Sequence, residues 1–124
     1  DFIYSIIDNK NLKILGTGDA VRSFCYITDS IKAIFTVLLK GQSAEPYNVG
    51  NPNGQLSISQ LAEILINLYP EKLLKIEIPN KNQINKISKK IKVKIPNINK
   101  LKKLGWDPIV SPENGFKRTI DCQK

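Results

Sequence analysis

Arg22 is one of only two arginines in a chain with 17 lysines and no histidine. It lies between a glycine-rich turn at 16–18 (Gly-Thr-Gly) and the apolar run Phe-Cys-Tyr-Ile at 24–27. A guanidinium is permanently charged and carries a planar fork of N–H donors, so it can hold a phosphate group in a fixed orientation. A single surface arginine more often forms only a weak ion pair. The residue type alone therefore leaves a phosphate contact and a solvated surface residue both open.

Lysines dominate the charge of the chain, which has a formal net charge of +8. Eleven of the 17 lysines lie between residues 72 and 103. A small basic nucleic-acid-binding domain has such a stretch, but it usually adds arginines and interleaved aromatic residues, and this stretch contains neither. The 19 isoleucines and 12 asparagines indicate instead the codon bias of an AT-rich genome. We favour the codon bias and keep nucleic-acid binding as the alternative function.

The composition predicts one globular domain over residues 1–124, because 41% of the residues are hydrophobic and 24% are charged. Cys25 and Cys122 fit no Cys-x-x-Cys or Cys/His spacing, so we expect no metal site and a reducing compartment. No apolar run reaches the about 20 residues of a membrane span. These features predict a cytoplasmic protein that does not bind membranes. The chain has no methionine and begins at Asp1, from which we expect a fragment of a longer protein.

Short strands alternate with helices along the chain, which predicts a mixed α/β fold with four to five helices. The predicted strands lie at 12–15, 24–27, 46–50, 74–78 and 92–95, with a loop at 79–88. The predicted helices lie at 2–7, 30–40, 57–69, 97–104 and 112–120. A turn follows the third strand at 51–54 (Asn-Pro-Asn-Gly).

Two of these helices have clear end signals. Ser57 and Gln60 have the spacing of a capping box, and Pro70 is expected to end that helix. The helix at 30–40 is expected to start at a Thr28 or Asp29 cap and to end at Gly41 in the C′ position. Its polar residues form one narrow stripe, so most of its circumference is apolar and needs partners on more than one side. The stripe consists of Lys32, Thr36 and Lys40.

Several short motifs occur in a fixed order: Gly-x-Gly, Arg-x-Phe-x-Tyr-Ile-x-Asp, Tyr-Asn-Val-Gly-Asn, a serine-capped helix and Leu-Gly-Trp-x-Pro. In this order the chain resembles the carboxy-terminal third of the extended short-chain dehydrogenases/reductases, the NAD-dependent epimerases and dehydratases of nucleotide sugars. UDP-glucuronate decarboxylases and dTDP-glucose 4,6-dehydratases are the most similar branches. The resemblance implies an α/β chain that forms the nucleotide-sugar side of the cleft. NAD is then bound mainly by an amino-terminal Rossmann domain that this sequence lacks.

The resemblance also assigns substrate-binding roles. Arg22 matches the arginine that contacts the diphosphate, and the backbone around Lys13 and Leu15 matches the segment against the nucleotide base. Phe24 matches the aromatic position near the nucleotide, and Ile58 lies where the family contacts the base or ribose. Core packing is the alternative role for Leu15, Phe24 and Ile58. Ser23 stands where the family commonly has aspartate.

Departures from the family pattern are equally informative. The catalytic tyrosine of the family is followed four residues later by a lysine, and none of the four tyrosines here has a lysine at that spacing. The glycine fingerprint for the dinucleotide is also missing. A late phosphate-binding arginine has no counterpart, and Lys90, Lys92 or Lys94 could replace it. We therefore expect no catalytic residue and no metal ligand in this chain.

The partners implied are a nucleotide-diphosphate sugar, the missing Rossmann domain and further copies of the chain. Exposed apolar surface on the helix at 30–40 is expected to cause self-association and a homo-oligomer. The parent enzyme would oxidise the sugar at C4 with NAD, transform the ketone by epimerisation, dehydration or decarboxylation, and return the hydride. An inert scaffold with only a structural likeness to the family is a further alternative.

Overall fold

The computed structural model of the protein describes residues 1–79 and 95–123. Within these residues lie the five α-helices α1 (Phe2–Ile7), α2 (Ile27–Lys40), α3 (Ile58–Leu68), α4 (Asn99–Lys103) and α5 (Pro112–Asp121). The strands there are β1 (Leu12–Lys13), β2 (Val21–Ser23), β3 (Gln55–Ser57) and β4 (Ile76–Glu77), and Pro70–Lys72 forms a 3₁₀ turn. The predicted mixture of helices and short strands is confirmed. Apart from Pro79 and Ile95, the predicted loop at 79–88 and strand at 92–95 lie outside the described residues.

The chain divides into two compact units, and neither is continuous in sequence. The first unit contains residues 1–22 and the described parts of 56–93 and 113–124. The second unit contains residues 23–55 and the described part of 94–112. The prediction of a single domain over 1–124 stays a prediction.

In the described part of the chain, no group of three His, Cys, Asp or Glu side chains could hold a metal ion. None of the helices in that part is long and apolar enough to cross a membrane. Cys25 and Cys122 are both free thiols.

A parallel strand pair organises the first unit. Leu12 of β1 pairs with Ile76 of β4, and Lys13 pairs with Glu77. The Leu12 N–H donates to the Lys75 carbonyl at 2.9 Å. The core of this unit contains apolar residues from α1, β1, α3 and α5, namely Ile6, Leu12, Leu61, Leu65 and Ile120.

The start of α3 confirms the capping box. The Ser57 hydroxyl accepts from the Gln60 N–H at 3.0 Å, and the Gln60 side chain accepts from the Ser57 N–H at 2.8 Å. The helix ends at Leu68, two residues before Pro70. Both ends of this helix therefore follow from local sequence signals.

Tyr69 joins the end of α3 to α5 inside the first unit, and it is 3% exposed. Its hydroxyl donates to an Asp121 carboxylate oxygen at 2.8 Å, and the Lys117 ammonium donates to the other oxygen at 2.6 Å. Burial raises the pKa of Tyr69 to about 12, and Asp121 adds to the increase through its hydrogen bond and its charge. The folded state therefore favours the neutral phenol.

This pKa predicts how stability depends on alkaline pH. The pKa in the folded protein exceeds the ordinary value of 10.0, so the contribution of Tyr69 is complete below pH 10. It is lost as the pH rises from 10 towards 12. Replacing Tyr69 with Phe is expected to flatten the fall in unfolding free energy over this range, measured by urea denaturation. A Tyr4→Phe variant, changed at an exposed site, should keep the wild-type slope. Equal slopes in all three proteins would contradict the assignment.

In the second unit, two predictions about the start of α2 are wrong. The strand expected at 24–27 is absent, since β2 ends at Ser23 and α2 already begins at Ile27. The Tyr26 carbonyl accepts from the N–H groups of Asp29 and Ser30, which closes the first helical turn. Neither Thr28 nor Asp29 caps the helix, because the N-cap residue is Tyr26. The side chain of Tyr26 makes no capping hydrogen bond.

Glycines end two helices of this unit for different reasons. Gly41 has φ −70° and ψ 155°, so the predicted left-handed C′ conformation is wrong. A Cβ at Gly41 would lie 2.5 Å from the Val37 carbonyl oxygen, and close approach is therefore the reason for a glycine here. Gly105, after α4, has φ +89° and confirms the helix stop expected there.

The predicted strand at 46–50 is also wrong, because these residues have no regular structure. Side-chain hydrogen bonds, and not the backbone hydrogen bonds of a β-sheet, hold this segment. The Tyr47 hydroxyl accepts from the Gln42 N–H at 3.0 Å, and the Asn48 amide donates to the Asn97 carbonyl at 3.1 Å.

The core of the second unit is a small cluster around Trp106. It contains Ala33, Ile98, Leu101 and Trp106, with Cys25, Val37, Tyr47 and Leu104 packed against it. Much of the apolar circumference of α2 lies outside this cluster. The exposed apolar side chains of the helix are Ile27, Ile31, Ile34, Phe35, Leu38 and Leu39. The sequence predicts that α2 needs apolar partners on more than one side. In this chain one apolar side packs on the Trp106 cluster, and the remaining apolar side chains are exposed to solvent.

Candidate functional site

Arg22 lies in the middle of β2 with its side chain exposed, while Val21 and Ser23 on either side are half-buried. One guanidinium nitrogen donates to the Val21 carbonyl at 2.9 Å. Among the described residues Arg22 forms no ion pair, so its other N–H donors face no carboxylate there. The arrangement presents a charged fork of donors that can receive an oxyanion.

The loop before Arg22 is attached to the first turn of α3. The Ile58 N–H donates to the Ala20 carbonyl at 3.1 Å, and the Ser59 N–H donates to the Gly18 carbonyl at 3.0 Å. The next N–H, of Gln60, is taken by the capping box. A helix start with free N–H groups can bind an anion, but here those groups hold the loop instead. The first N–H groups of α3 are therefore already used and are not available to an anion.

Gly18 is required for that attachment. It has φ +79°, and a Cβ would lie 2.0 Å from the Ser59 hydroxyl oxygen. Replacing Gly18 with Ala is expected to lower the free energy of unfolding by about 1–3 kcal/mol, as a strained backbone conformation does. Gly16→Ala is the matched control, because a Cβ there meets nothing within 4 Å. Urea denaturation measures both variants, and equal stabilities would contradict the role of Gly18.

The other predicted binding residues of the first unit are Lys13, Leu15 and Ile58. The Lys13 ammonium is exposed and lies 3.8 Å from a Glu77 carboxylate oxygen. Leu15 is 87% exposed, so core packing is the wrong role for it. Ile58 is half-buried at the first position of α3. Leu15 and the Lys13 ammonium are thus both accessible to a ligand, while Ile58 is partly covered.

Phe24 is the predicted site residue of the second unit. Its ring is half-buried, and its N–H donates to the Gly54 carbonyl at 2.9 Å. The structure thus brings Lys13, Leu15, Arg22 and Ile58 into one unit and Phe24 into the other. The lysines considered as substitutes for a second arginine, Lys90, Lys92 and Lys94, lie outside the described residues.

Tyr69 is not a candidate for acid–base chemistry of the expected kind. A catalytic phenol needs a pKa lowered towards neutrality by a nearby cation. Tyr69 does have Lys117 5.7 Å from its ring centre, but burial and Asp121 raise its pKa to about 12. Tyr69 is therefore a structural residue that stays protonated at neutral pH.

Asp29 is a buried polar residue whose role the sequence did not indicate. One carboxylate oxygen accepts from the N–H groups of Ile109 and Val110 at 3.0 and 2.9 Å. The Asp29 carbonyl accepts from the Trp106 indole N–H at 3.0 Å. Its partners lie about 80 residues away in sequence, as the separations of 77, 80 and 81 show. An acidic residue in the first turn of a mostly apolar helix is the only local signal for this contact.

The chain is similar to known sugar-nucleotide enzymes along nearly its whole length. Residues 1–50 match the NAD dependent epimerase/dehydratase family. dTDP-D-glucose 4,6-dehydratase of Bos taurus is 36% identical over 123 residues, which cover 97% of this chain and 34% of the relative. The chain therefore spans about a third of the length of the curated relatives it matches.

Solved structures of such enzymes share the fold. UDP-glucose 4-epimerase of Thermotoga maritima, solved with UDP-glucose, has a TM-score of 0.73 and 28% identity, covering 97% of this chain and 37% of that one. dTDP-glucose 4,6-dehydratase of Bacillus anthracis, solved with NAD, has a TM-score of 0.75 and 25% identity, covering 97% and 36%. The comparisons support a relationship to the NAD-dependent epimerases and dehydratases.

Proposed function

We propose that residues 1–124 form the nucleotide-sugar-binding part of an NAD-dependent sugar epimerase, dehydratase or decarboxylase. The observation that carries the proposal is the exposed Arg22 guanidinium on β2, next to a loop fixed by α3. This side chain is the diphosphate ligand. A planar, permanently charged fork can bind two phosphate oxygens at once. It therefore offsets the negative charge of the diphosphate and also fixes the orientation of the attached sugar.

Four further positions have binding roles in this proposal. The backbone at Lys13 and Leu15 lies against the base, where the exposed leucine covers the ring face. Ile58 contacts the base or ribose, and Phe24 lies near the nucleotide. The solved relative that contains UDP-glucose supports this class of ligand.

The reaction of the whole protein requires groups that this chain lacks. NAD would accept a hydride from C4 of the sugar, the ketone would be epimerised, dehydrated or decarboxylated, and the hydride would return. The start of α3 does not fit the pyrophosphate of NAD, since its first N–H groups hold the 16–20 loop, and the sequence has no glycine fingerprint. The cofactor and the catalytic Tyr-x-x-x-Lys pair then belong to the amino-terminal Rossmann domain. Cytoplasmic location stays a prediction from the sequence.

The exposed face of α2 is the surface for that domain, or for another copy of the chain when the domain is missing. Leu38 and Leu39 are 74% and 79% exposed, which is unfavourable in water. The isolated 124-residue chain is expected to self-associate, and Leu38→Glu is expected to shift it towards monomer in sedimentation experiments. Lys32→Glu, on the polar stripe of the same helix, is the control. A wild-type chain that remains monomeric at all concentrations would contradict this prediction.

Ligand binding by the full-length protein tests the proposal against its alternatives. UDP- and dTDP-sugars are expected to bind saturably, with affinity that depends only moderately on salt. Duplex and single-stranded nucleic acids are the comparison ligands. Steeply salt-dependent nucleic-acid binding without sugar-nucleotide binding would overturn the proposal in favour of a basic nucleic-acid-binding domain. Binding of neither ligand would overturn it in favour of an inert scaffold.

A further inference from the structure

Two polar residues, Asp29 and Asn51, are buried in the described part of the chain, and both contact Val110 in the second unit. Asp29 accepts from the Val110 N–H at 2.9 Å, and the Asn51 amide donates to the Val110 carbonyl at 3.4 Å. Buried polar groups are unfavourable unless they are paired, and here both backbone polar groups of Val110 are paired with buried side chains.

The bonds continue from Asn51 to the residues that follow Arg22 in sequence. The Asn51 carbonyl accepts from the Ser23 hydroxyl at 2.8 Å and from the Gly54 N–H at 3.0 Å. The Gly54 carbonyl in turn accepts from the Phe24 N–H at 2.9 Å. Asp29, Val110, Asn51 and Ser23 therefore form one connected chain of hydrogen bonds, which we call the Asp29 network.

The turn at 51–54 has no room for a side chain at Gly54. A Cβ at Gly54 would lie 2.3 Å from the Phe24 carbonyl oxygen and 2.9 Å from the Asn51 amide nitrogen. The backbone of the turn thus packs directly on residue 24. A displacement of Asn51 is therefore expected to shift Ser23 and Phe24, because close-packed groups transmit small shifts.

We propose that Asp29 is a positioning residue that sets the backbone at Ser23 and Phe24, and thereby the end of β2 that presents Arg22 to the nucleotide sugar. The inference rests on the proposed function, and it names a residue that acts through others rather than touching the ligand. The hydrogen bond from the Ser23 hydroxyl to the Asn51 carbonyl depends on the serine. An ionised aspartate, which is common at this position in the family that the chain resembles, has no proton to donate to that carbonyl.

The unpaired oxygen of Asp29 makes the proposal specific. Within the described residues, Oδ1 of Asp29 is buried without a hydrogen-bond partner, while Oδ2 receives both N–H groups. One acceptor atom therefore performs the positioning. Asparagine retains such an acceptor, whereas alanine removes it and leaves the two N–H groups unpaired.

The test uses Asp29→Ala and Asp29→Asn in the full-length protein. Asp29→Ala is expected to raise KM for the nucleotide sugar by about 10-fold with kcat changed less than about 2-fold, because misplaced binding residues weaken ground-state binding. Asp29→Asn is expected to stay within about 3-fold of the wild-type KM. Asp107→Ala is the control. Asp107 lies close to Val110 in sequence, and among the described residues its exposed carboxylate forms an ion pair only with Lys102.

Hydrogen exchange separates positioning from general loss of stability. Asp29→Ala is expected to speed exchange in the peptide containing Phe24, and Ser23→Ala is expected to do the same without removing a buried carboxylate. Ser23→Ala therefore provides the test if Asp29→Ala does not fold. Unchanged exchange at Phe24 together with an unchanged KM would overturn the inference. Absence of sugar-nucleotide binding by the wild-type protein would overturn the proposed function, while the exchange result would still decide the positioning claim.

Discussion

Replacing Arg22 with alanine in the full-length protein is expected to raise KM for the nucleotide sugar by about 10- to 100-fold. A hydrogen bond to a charged group contributes about 1.5–3 kcal/mol, and about 1.4 kcal/mol corresponds to tenfold in affinity. Arg22 is exposed and donates only to the adjacent Val21 carbonyl among the described residues, so the free energy of unfolding should hardly change. Steady-state kinetics and urea denaturation measure the two quantities separately.

Two further variants sharpen this prediction. Arg22→Lys keeps the charge and loses the planar fork, so its KM should lie between the wild-type and alanine values. Arg118→Ala removes the other arginine of the chain, an exposed residue on α5, and should leave KM unchanged. A wild-type KM in Arg22→Ala would remove the role that we assign to this residue.

Replacing Trp106 with alanine is expected to lower the free energy of unfolding by about 3–5 kcal/mol. Trp106 is 5% exposed, packs against Ala33, Ile98 and Leu101, and donates its indole N–H to the Asp29 carbonyl. The substitution therefore creates a cavity in the core of the second unit and leaves a buried carbonyl without its donor. Chemical denaturation followed by circular dichroism measures the loss.

Matched substitutions separate the two contributions. Trp106→Phe keeps most of the packing and removes the donor, so it should cost about 1–3 kcal/mol. Ile109→Ala, at a side chain that is 74% exposed in the same segment, should cost less than about 0.5 kcal/mol. A cost for Trp106→Ala no larger than that for Ile109→Ala would contradict the core described here.

Local signals predicted the elements whose ends depend on neighbouring residues. The capping box of α3, the stop at Gly105 and the start of α5 at Pro112 all act within a few residues, so the sequence was sufficient. The predicted start of α2 was wrong because aspartate is a residue type that often caps helices, and Asp29 was therefore taken as a cap. Its carboxylate is used instead by N–H groups about 80 residues away, which no local pattern contains.

The sequence could propose the residues of the candidate site but not the contacts that support them. Arg22 was proposed because the motifs around it resemble the family pattern, and because a bidentate donor is rare in a chain rich in lysine. The attachment of its loop to the first turn of α3 depends on tertiary hydrogen bonds from Ile58 and Ser59. The exposure of Leu15 was likewise undetermined, because a leucine after a short strand is compatible with burial or with ligand contact.

A crystal structure of the full-length protein with a bound UDP- or dTDP-sugar is the most direct test of the central claim. We expect the Arg22 guanidinium to donate to diphosphate oxygens at about 2.7–2.9 Å, as charge-assisted hydrogen bonds do. We also expect the base to lie against the backbone at Lys13 and Leu15. A bound nucleotide sugar whose diphosphate is held by other residues, with Arg22 in solvent, would contradict the account.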